Sequence, residues 1–241
     1  MKLKYSIIPI LVLCVLCATC SQKDRSIPNQ LTEGEIQAGW KLLFDGKTTD
    51  GWRAYNEKDV GTNWKVEDGT LTCLGKGGDL EGYIITRDQF DNFDLSLEWK
   101  ISEGANSGIF YHVVEGDKYE APYVTGPEYQ LIDDVGFPHE LQGWQQTGAD
   151  YAMYVANEKK KLKPVGEWNT SRIVFDHGHV EHWLNGEKIG EFEAWSDDWN
   201  RRRLAGKWKD YPDYGMAKTG HIGFQNEEKR IWFRTIKIRP L

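Results

Sequence analysis

Hydrophobic and polar residues alternate along most of the chain after Trp40, in short runs that are separated by turn sequences. The clearest run extends from Leu95 to Ile101, where every second residue is hydrophobic and the residues between them are polar. Because successive side chains of a β-strand point to opposite faces of the sheet, this pattern predicts a strand with one buried face. Runs at Ser107 to Val114 and at Arg172 to Phe175 predict similar strands.

The turns between these runs are typical of β-hairpins. Asp68-Gly69 and Asn185-Gly186 each separate two short runs, and both dipeptides suit the positive φ angles of a two-residue hairpin turn. The last run, from Ile231 to Ile238, changes its alternation between Phe233 and Ile236, which predicts a bulge or bend in that strand.

Helical signals are few. Ser196 is suited to cap a short helix that runs to about Ala205, and Gly206 is suited to end it. Many short strands without alternating helices predict an all-β fold, in which two antiparallel sheets form a sandwich with a short helical insertion. We expect a single domain over residues 40–241.

The N-terminus has the features of an export signal. Residues 1–20 combine a positive start, a short hydrophobic run and small residues before Cys20, as a bacterial lipoprotein signal does. We therefore expect lipid attachment at Cys20, with residues 21–39 as a tether. Since no acidic run follows Cys20, we expect a protein anchored in the cell envelope on the periplasmic side, not at the cell surface.

Composition narrows the possible partners. The formal net charge is −7, and it becomes −9 once the leader is removed, because two lysines and no acidic residue are lost. This charge argues against nucleic acid as a partner. The eleven Trp, eleven Tyr and nine Phe suit both a wide sandwich core and a flat-ring ligand such as a sugar. Cys73 is the single cysteine after the leader, which excludes an intrachain disulfide and predicts a small buried residue.

One strand carries polar residues on a complete face. Glu128 and Gln130 share one face, whereas Tyr129 and Leu131 share the other. An edge strand with a solvated outer surface explains this pattern without any function. A carboxylate and an amide side by side are also suited to acid/base chemistry and to binding sugar hydroxyls.

Several short motifs in the chain resemble the 3-keto-disaccharide hydrolase family, whose fold is similar to that of the concanavalin A-like lectins and glucanases. They are Leu43-Phe44-Asp45-Gly46 with Gly51-Trp52, Asn106-Ser107-Gly108-Ile109-Phe110, Glu128-Tyr129-Gln130-Leu131-Ile132-Asp133, Thr147-Gly148-Ala149, Gly166-Glu167-Trp168-Asn169, Trp183-Leu184-Asn185-Gly186 and Gly220-His221-Ile222-Gly223 with Trp232-Phe233-Arg234. The resemblance implies a jelly-roll sandwich and a 3-keto sugar as substrate. One turn departs from the family, because Asn226-Glu227-Glu228-Lys229 replaces an Asp-His-Gly type of sequence.

The implied chemistry depends on the ketone. A carbonyl at C3 of a sugar acidifies the C2 proton, so that a base removes it and the group at C1 leaves by elimination. Addition of water then completes a net hydrolysis. Such a site needs a base near C2, an electrophile at the C3 oxygen and an acid at the leaving oxygen, and each positioned acid or base contributes about 10²–10⁴-fold.

The candidate residues follow from the resemblance and from side-chain chemistry. We expect His182, Glu128 and Asp150 to be catalytic, and Gln130, Tyr151, Gln225 and Arg234 to bind the substrate. Structural roles are open for each of them: His182 suits the edge of a core, Asp150 and Tyr151 suit a turn, and Arg234 suits a solvated strand face.

Two further features remain open at this stage. The aromatic residues between two late strands are suited to form a wall of a sugar cleft; they are Trp195, Trp199, Trp208, Tyr211 and Tyr214. No tight metal-binding motif is present, yet a divalent metal held by residues from separate strands is compatible with the sequence.

The alternatives to a 3-keto-glycoside-cleaving enzyme are a carbohydrate-binding lipoprotein without activity and an ordinary glycosidase with two carboxylates.

Overall fold

The computed structural model describes residues 27–75, 82–225, 227 and 229–241. The signal sequence expected over residues 1–20, including Cys20, lies outside these residues. The strands are β1 Lys41–Leu42, β2 Trp52–Ala54, β3 Trp64–Glu67, β4 Thr70–Cys73, β5 Ile84–Thr86, β6 Phe93–Ile101, β7 Asn106–Val113, β8 Glu128–Ile132, β9 Asn169–Asp176, β10 His179–Leu184, β11 Glu187–Glu193, β12 His221–Phe224 and β13 Ile231–Pro240. The α-helices are α1 Glu33–Gln37 and α2 Asp197–Ala205, and 3₁₀-helices form at Pro122–Val124, Gly143–Gln145 and Lys207–Asp210.

Two antiparallel sheets form the fold. The larger sheet has the order β11-β10-β9-β6-β13-β4-β3, with β1 paired to β13, and the smaller has the order β2-β5-β12-β7-β8. Side chains of both sheets, such as Leu95 and Trp99 from β6 and Ile109 and Tyr129 from β7 and β8, share one buried core. The predicted all-β sandwich is confirmed.

The local predictions from alternation and turn residues hold as well. Asp68 and Asn185 have φ angles of 48° and 50° in the hairpins β3–β4 and β10–β11. Strand β13 shifts its pairing with β6 between Arg234 and Lys237, which is the predicted bulge. Thr235 within this bulge has a φ of 51°, a value that non-glycine residues adopt rarely.

The helical insertion forms where its capping residues predict it. The Ser196 hydroxyl accepts a hydrogen bond from the Trp199 amide at 3.2 Å, and Gly206 follows the last residue of α2. Trp208 stacks on Tyr214 with ring centroids 4.0 Å apart, and Trp199 also stacks on Tyr214, with ring centroids 6.2 Å apart. This stack is buried, so that the 3₁₀-helix at Lys207–Asp210 is held rigidly beside the smaller sheet.

Part of the expected tether is attached to the sandwich. The Asn29 amide side chain donates to Gly69 O at 2.8 Å and accepts from the Thr235 amide at 2.7 Å. Glu35 in α1 forms an ion pair with Lys237. Asn29 and Glu35 therefore attach the described part of this segment to the domain. Within the described part of the chain, no helix is long and apolar enough to cross a membrane.

Cys73 has the predicted environment. Its side chain is fully buried in the core, and this burial raises the pKa of the thiol to about 12. The residue is therefore a small core side chain in the neutral thiol form at physiological pH.

Candidate functional site

Strand β8 carries the polar face that its sequence predicts. Tyr129 and Leu131 point into the core between the sheets, whereas Glu128 and Gln130 point away from it. An ordinary outer face would be solvated, but Glu128 is only 5% exposed and Gln130 only 2% exposed. Both are covered because the helical insertion after β11 forms a roof over this end of the smaller sheet, through Lys207, Trp208 and Tyr211.

Beneath this roof is a cavity of about 310 Å³, called here the Glu128 pocket. Its lining combines two carboxylates, three amides, one ammonium and five aromatic rings, from Tyr83, Asn106, Tyr123, Glu128, Gln130, Tyr151, Lys207, Trp208, Tyr211, Gln225 and Glu227. A concave site with a few convergent polar groups and aromatic walls is the usual form of a small-molecule site, and this volume is at the small end of the range of about 300–1,000 Å³.

The position of the Glu128 carboxylate depends on a glycine in the neighbouring strand. Gly108 lies in β7 beside Glu128, and a Cβ atom at position 108 would overlap with the Glu128 carboxylate. The absence of a side chain at Gly108 therefore lets the carboxylate lie flat across the sheet. Oε1 of Glu128 is buried and has no hydrogen-bond partner among the described residues.

Burial changes the acidity of this carboxyl. Desolvation raises the pKa of Glu128 to about 8, Lys207 opposes this rise, and the charges of Glu227 and Asp150 add to it. Burial also lowers the pKa of Lys207, against the effects of Glu128 and Glu227. The pocket thus combines a carboxyl that changes its charge near neutral pH with a nearby ammonium, as active sites often do.

The amide side chains are held by neighbours that leave part of their hydrogen-bonding capacity free. Gln130 Nε2 donates to Asn106 Oδ1 at 2.8 Å, and Gln225 Nε2 donates to Glu227 Oε1 at 3.2 Å. Ser107 further fixes this region through a hydrogen bond from its hydroxyl to Gln225 O at 2.6 Å. An amide has two donors and two acceptor sites, so each of these side chains can also bind a sugar hydroxyl.

Aromatic rings form the remaining walls. Tyr123 and Tyr211 meet edge to face at 6.2 Å, and Trp208 donates from its indole nitrogen to Tyr151 O at 3.1 Å. The Lys207 ammonium lies 4.3 Å from the centre of the Tyr151 ring and 4.9 Å from that of Trp208. These contacts direct Lys207 into the pocket. Of the five aromatic residues of the insertion that we expected to form a wall, Trp208 and Tyr211 line the pocket, whereas Trp195, Trp199 and Tyr214 are not among its lining residues.

Four of the seven residues that we expected in the site line the Glu128 pocket. These are Glu128, Gln130, Tyr151 and Gln225. The other three, His182, Asp150 and Arg234, lie elsewhere.

His182 points into the core from β10 of the larger sheet and is 1% exposed. Its ring lies 4.7 Å from that of Tyr129, which is on the opposite side of β8 from Glu128. Nδ1 donates to Gly148 O at 3.1 Å, and burial lowers the pKa to about 4, so the ring is neutral at physiological pH. The expectation that His182 and Glu128 share one cleft is therefore wrong, because β8 separates them.

Asp150 also lies on the inner face. It forms a bridge beside Tyr129, and the side chains of such a pair share the same face of the sheet. Both oxygens of its carboxylate are buried without a hydrogen-bond partner among the described residues, as are the hydroxyls of Tyr111 and Tyr214. Burial raises the pKa of Asp150 well above its usual value. Burial thus favours the neutral form of Asp150, and the residue does not line the Glu128 pocket.

Arg234 lies on the outer face of the larger sheet. Its Nε atom lies 2.9 Å from Glu98 Oε2, and its guanidinium covers the ring of Trp168 with 3.9 Å to the ring centre. It lines a separate cavity with Trp168 and Trp232. Arg234 therefore has the second of the two roles that the sequence left open, that of a residue on a solvated strand face.

Sequence reasoning missed the charged residues that complete the pocket. Lys207 lies within the aromatic insertion, but nothing in the sequence distinguishes it from the other lysines of the chain. Glu227 belongs to the turn that departs from the family pattern, and the structure places it in the pocket, whereas Asn226 and Glu228 lie outside the described residues. Asn106 is the first residue of the family motif Asn106-Ser107-Gly108-Ile109-Phe110, and this motif was the signal that could have identified it as a site residue.

One group of side chains in the described part of the chain has the spacing of a metal site. His179, Glu181 and Glu191 converge at the edge of the larger sheet, where β10 pairs with β11. The Lys188 ammonium already lies 3.1 Å from Glu181 and 2.7 Å from Glu191. None of these three residues lines the Glu128 pocket, whose two carboxylates both interact with the Lys207 ammonium.

Fold and site together define a two-sheet antiparallel sandwich with a roofed polar pocket on the outer face of its smaller sheet. The chain belongs to the family described as the 3-keto-α-glucoside-1,2-lyase-like domain, whose model matches residues 39–239. The family resemblance of the short motifs is thereby confirmed.

Individual relatives agree with this assignment. A protein named 3-keto-disaccharide hydrolase from Bacteroides thetaiotaomicron is 33% identical over 228 residues, which cover 84% of this chain and 79% of that protein. A crystal structure from Parabacteroides distasonis, provisionally named a glycosyl hydrolase, is 45% identical with a TM-score of 0.84, over 89% of this chain and all of that one. A second such structure from the same organism is 27% identical with a TM-score of 0.65, over 84% of this chain and 99% of that one.

Proposed function

We propose that this protein is an enzyme that cleaves 3-keto-glycosides in the Glu128 pocket, by elimination across C1 and C2 followed by addition of water. The observation that carries this proposal is the pairing of Glu128, whose pKa is raised to about 8, with the Lys207 ammonium in one sugar-sized cavity. The names of the family and of its Bacteroides relative support the same substrate class.

Glu128 is the base in this proposal. Its ionised carboxylate removes the proton from C2, and the electrons of the C2–H bond form an enolate with the C3 carbonyl. A base with a pKa near 8 is strong enough to compete for a proton next to a ketone and is still partly ionised at neutral pH. Glu128 lines the pocket, so its carboxylate borders the space that the sugar occupies.

Lys207 stabilises the charge that develops. Its ammonium faces Glu128, so the C3 oxygen of a sugar bound across the pocket gains a cationic partner as it becomes an enolate. The enolate then re-forms the C3 carbonyl, the C1–C2 double bond forms and the C1–O bond breaks. Glu128 returns the proton to the leaving oxygen, and addition of water across C1 and C2 gives net hydrolysis.

The remaining lining residues orient the sugar. Gln130, Asn106 and Gln225 offer donors and acceptors to ring hydroxyls. Tyr151 and Trp208 form walls on which the apolar face of a sugar ring can pack. His182 and Asp150 make no contact with the substrate in this arrangement, so the catalytic roles that we expected for them are not part of this proposal.

The test is incubation of the protein with a 3-keto-disaccharide and with its unoxidised parent, with and without EDTA, in D₂O. We expect cleavage of the keto sugar alone, with deuterium at C2 of the released 3-keto sugar beyond that of a control without protein. Cleavage of the parent would indicate an ordinary glycosidase, and binding without cleavage of either would indicate a carbohydrate-binding protein. Loss of activity with EDTA would show that a divalent metal takes part.

We further propose that Cys20 carries a lipid that anchors the protein on the periplasmic side of the cell envelope. The support is the arrangement of residues 1–20 and the lack of an acidic run after Cys20. Metabolic labelling with a fatty acid should mark the wild-type protein and not a Cys20→Ser variant. Accessibility of the protein to a protease on intact cells would contradict the periplasmic orientation.

A further inference from the structure

A second cavity of about 420 Å³ borders the Glu128 pocket. Tyr211 lines both cavities, and the segment at Pro122–Val124 supplies Tyr123 to the first and Val124 to the second. The Tyr123 hydroxyl also donates to Glu120 Oε1 at 2.9 Å, and Glu120 lines the second cavity. The two cavities are therefore neighbours that meet at Tyr211.

Size gives a reason for two compartments. The Glu128 pocket, at about 310 Å³, has room for the sugar that reacts but is small for a complete disaccharide. A leaving group at C1 that extends beyond the pocket meets the cavity across the Tyr211 edge, which is the neighbouring concave surface. We propose that this second cavity, called here the Tyr211 annex, binds the leaving group of the substrate, and that it selects a neutral sugar.

The lining of the annex matches a neutral polyhydroxylated ring. Asp213 accepts hydrogen bonds from the Lys118 ammonium at 3.0 Å and from the Tyr119 hydroxyl at 2.8 Å, which fixes this wall. The rings of Tyr211 and Pro212 offer flat apolar surfaces to the C–H face of a sugar. Carboxylates beside such rings accept hydrogen bonds from neighbouring hydroxyls.

Charge determines which sugars are excluded. The annex is lined by three carboxylates, Glu120, Asp210 and Asp213, and by the single ammonium of Lys118. The surplus of negative charge repels an anionic group, so a leaving group that carries a carboxylate or a phosphate binds less well than a neutral hexose. This inference rests on the proposed function, because a leaving group exists only if the Glu128 pocket binds a glycoside.

The experiment compares three substrates that carry the same 3-keto-glucosyl group: a disaccharide with a neutral glucose as leaving group, one with glucuronic acid, and the methyl glycoside. Wild type should show a kcat/KM for the neutral disaccharide at least about tenfold above the values for the other two. Equal kcat/KM values for all three substrates would overturn the inference.

Two variants test the location. Val124→Trp should fill the annex, and Asp213→Ala should release Lys118 and Tyr119; each should reduce the preference for the neutral disaccharide over the methyl glycoside by about tenfold. Asp213 has 44% of its side chain exposed, so this variant tests the annex even if the tryptophan prevents folding. Val165→Trp, in a cavity beside Leu162 and Pro164, is the matched control and should keep the wild-type preference.

A failure of the proposed function would give a different experimental result from a failure of the annex. If wild type cleaves none of the three keto substrates, the annex is still tested by calorimetric affinities for the unoxidised neutral disaccharide and for the corresponding methyl glucoside. A higher affinity for the disaccharide that Val124→Trp or Asp213→Ala removes would support the annex as a sugar site. Equal affinities, or an advantage that both variants retain, would reject it.

Discussion

The outer faces of the two sheets carry similar residue types but differ in what covers them. On the larger sheet, Arg234 pairs with Glu98 and covers the Trp168 ring, and Arg172 lies 2.6 Å from Asp94. The charged groups there have partners, and the aromatic ring has a cation against it. On the smaller sheet, Glu128 is buried, one of its carboxylate oxygens has no hydrogen-bond partner among the described residues, and its pKa is raised to about 8.

This difference arises from the insertion after β11. The stack of Trp199, Tyr214 and Trp208 holds a roof over the smaller sheet, which removes water from Glu128 and brings Lys207 to it. A roof of this kind raises the energy of the ionised carboxylate, because desolvation penalises charge. A carboxylate on a strand face thus becomes chemically useful when it is covered without a close ionic partner. Asp94 is also buried, but it is paired with Arg172 and Arg239 and has a structural role.

The largest effect should come from the carboxylate itself. Glu128→Gln keeps the shape of the side chain and removes its basicity, so kcat/KM for a 3-keto-disaccharide should fall at least about 100-fold. The matched control is Glu98→Gln on the larger sheet, which should retain activity within about twofold. Steady-state kinetics on both purified variants would measure this, and equal activities would refute the role of the Glu128 pocket.

The pH dependence should report the same group. Because only the ionised Glu128 accepts a proton, kcat/KM should rise about tenfold per pH unit below pH 8 and level off above it. An activity that instead falls as pH rises through 8 would mean that Glu128 acts as an acid in the free enzyme.

Stability gives an independent measure of this pKa. A folded-state pKa of about 8, above the ordinary 4.5, means that the folded protein binds a proton that the unfolded chain releases over this range. The corresponding stability is fully present below pH 4.5 and is lost as pH rises to 8, by at most about 1.4 kcal/mol per pH unit. Compared with wild type, Glu128→Gln should therefore gain in unfolding free energy as pH rises through this window.

Removing the space for Glu128 should have a smaller but clear effect. Gly108→Ala places a methyl group where the carboxylate lies, so the side chain must move and kcat/KM should fall about tenfold. Overpacking of this kind costs about 1–3 kcal/mol in stability. Gly34→Ala in α1, where a Cβ meets no atom within 4 Å, is the control and should change neither quantity appreciably. Full activity of Gly108→Ala would show that the observed carboxylate position is not required.

The smallest effect on catalysis should come from the open face. Arg234→Ala removes an ion pair with Glu98 and a contact with Trp168, so stability should decrease by about 1 kcal/mol, as measured by chemical denaturation. Its kcat/KM should stay within about twofold of wild type. A large loss of activity at unchanged stability would return Arg234 to the substrate-binding role that its sequence suggested.

The alternation of residues and the turn dipeptides were sufficient to predict the fold. Strand β6, the hairpins at Asp68-Gly69 and Asn185-Gly186, and the bulge in β13 depend on backbone preferences and on a period of two residues. These are local properties, and local sequence encodes them directly. The cap of α2 at Ser196 is local in the same sense.

Only some of the residues of the site could be predicted from local sequence in this way. Glu128, Gln130, Tyr151 and Gln225 were predicted because their motifs are short and contiguous. His182 failed as a partner of Glu128 because alternation assigns a residue to a face but does not say which sheet the strand joins or what lies across the core. The same limit applies to Arg234, whose strand lies in the larger sheet.

The sequence by itself determined that this chain forms a two-sheet sandwich and that β8 presents a carboxylate and an amide on one face. Only the tertiary structure decided that this face is covered, that Lys207 and Glu227 meet Glu128 there, and that His182 lies on the other side of β8. The physical reason is that desolvation and charge pairing depend on atoms brought together from distant parts of the chain, whereas strand period and turn geometry depend on neighbours in sequence.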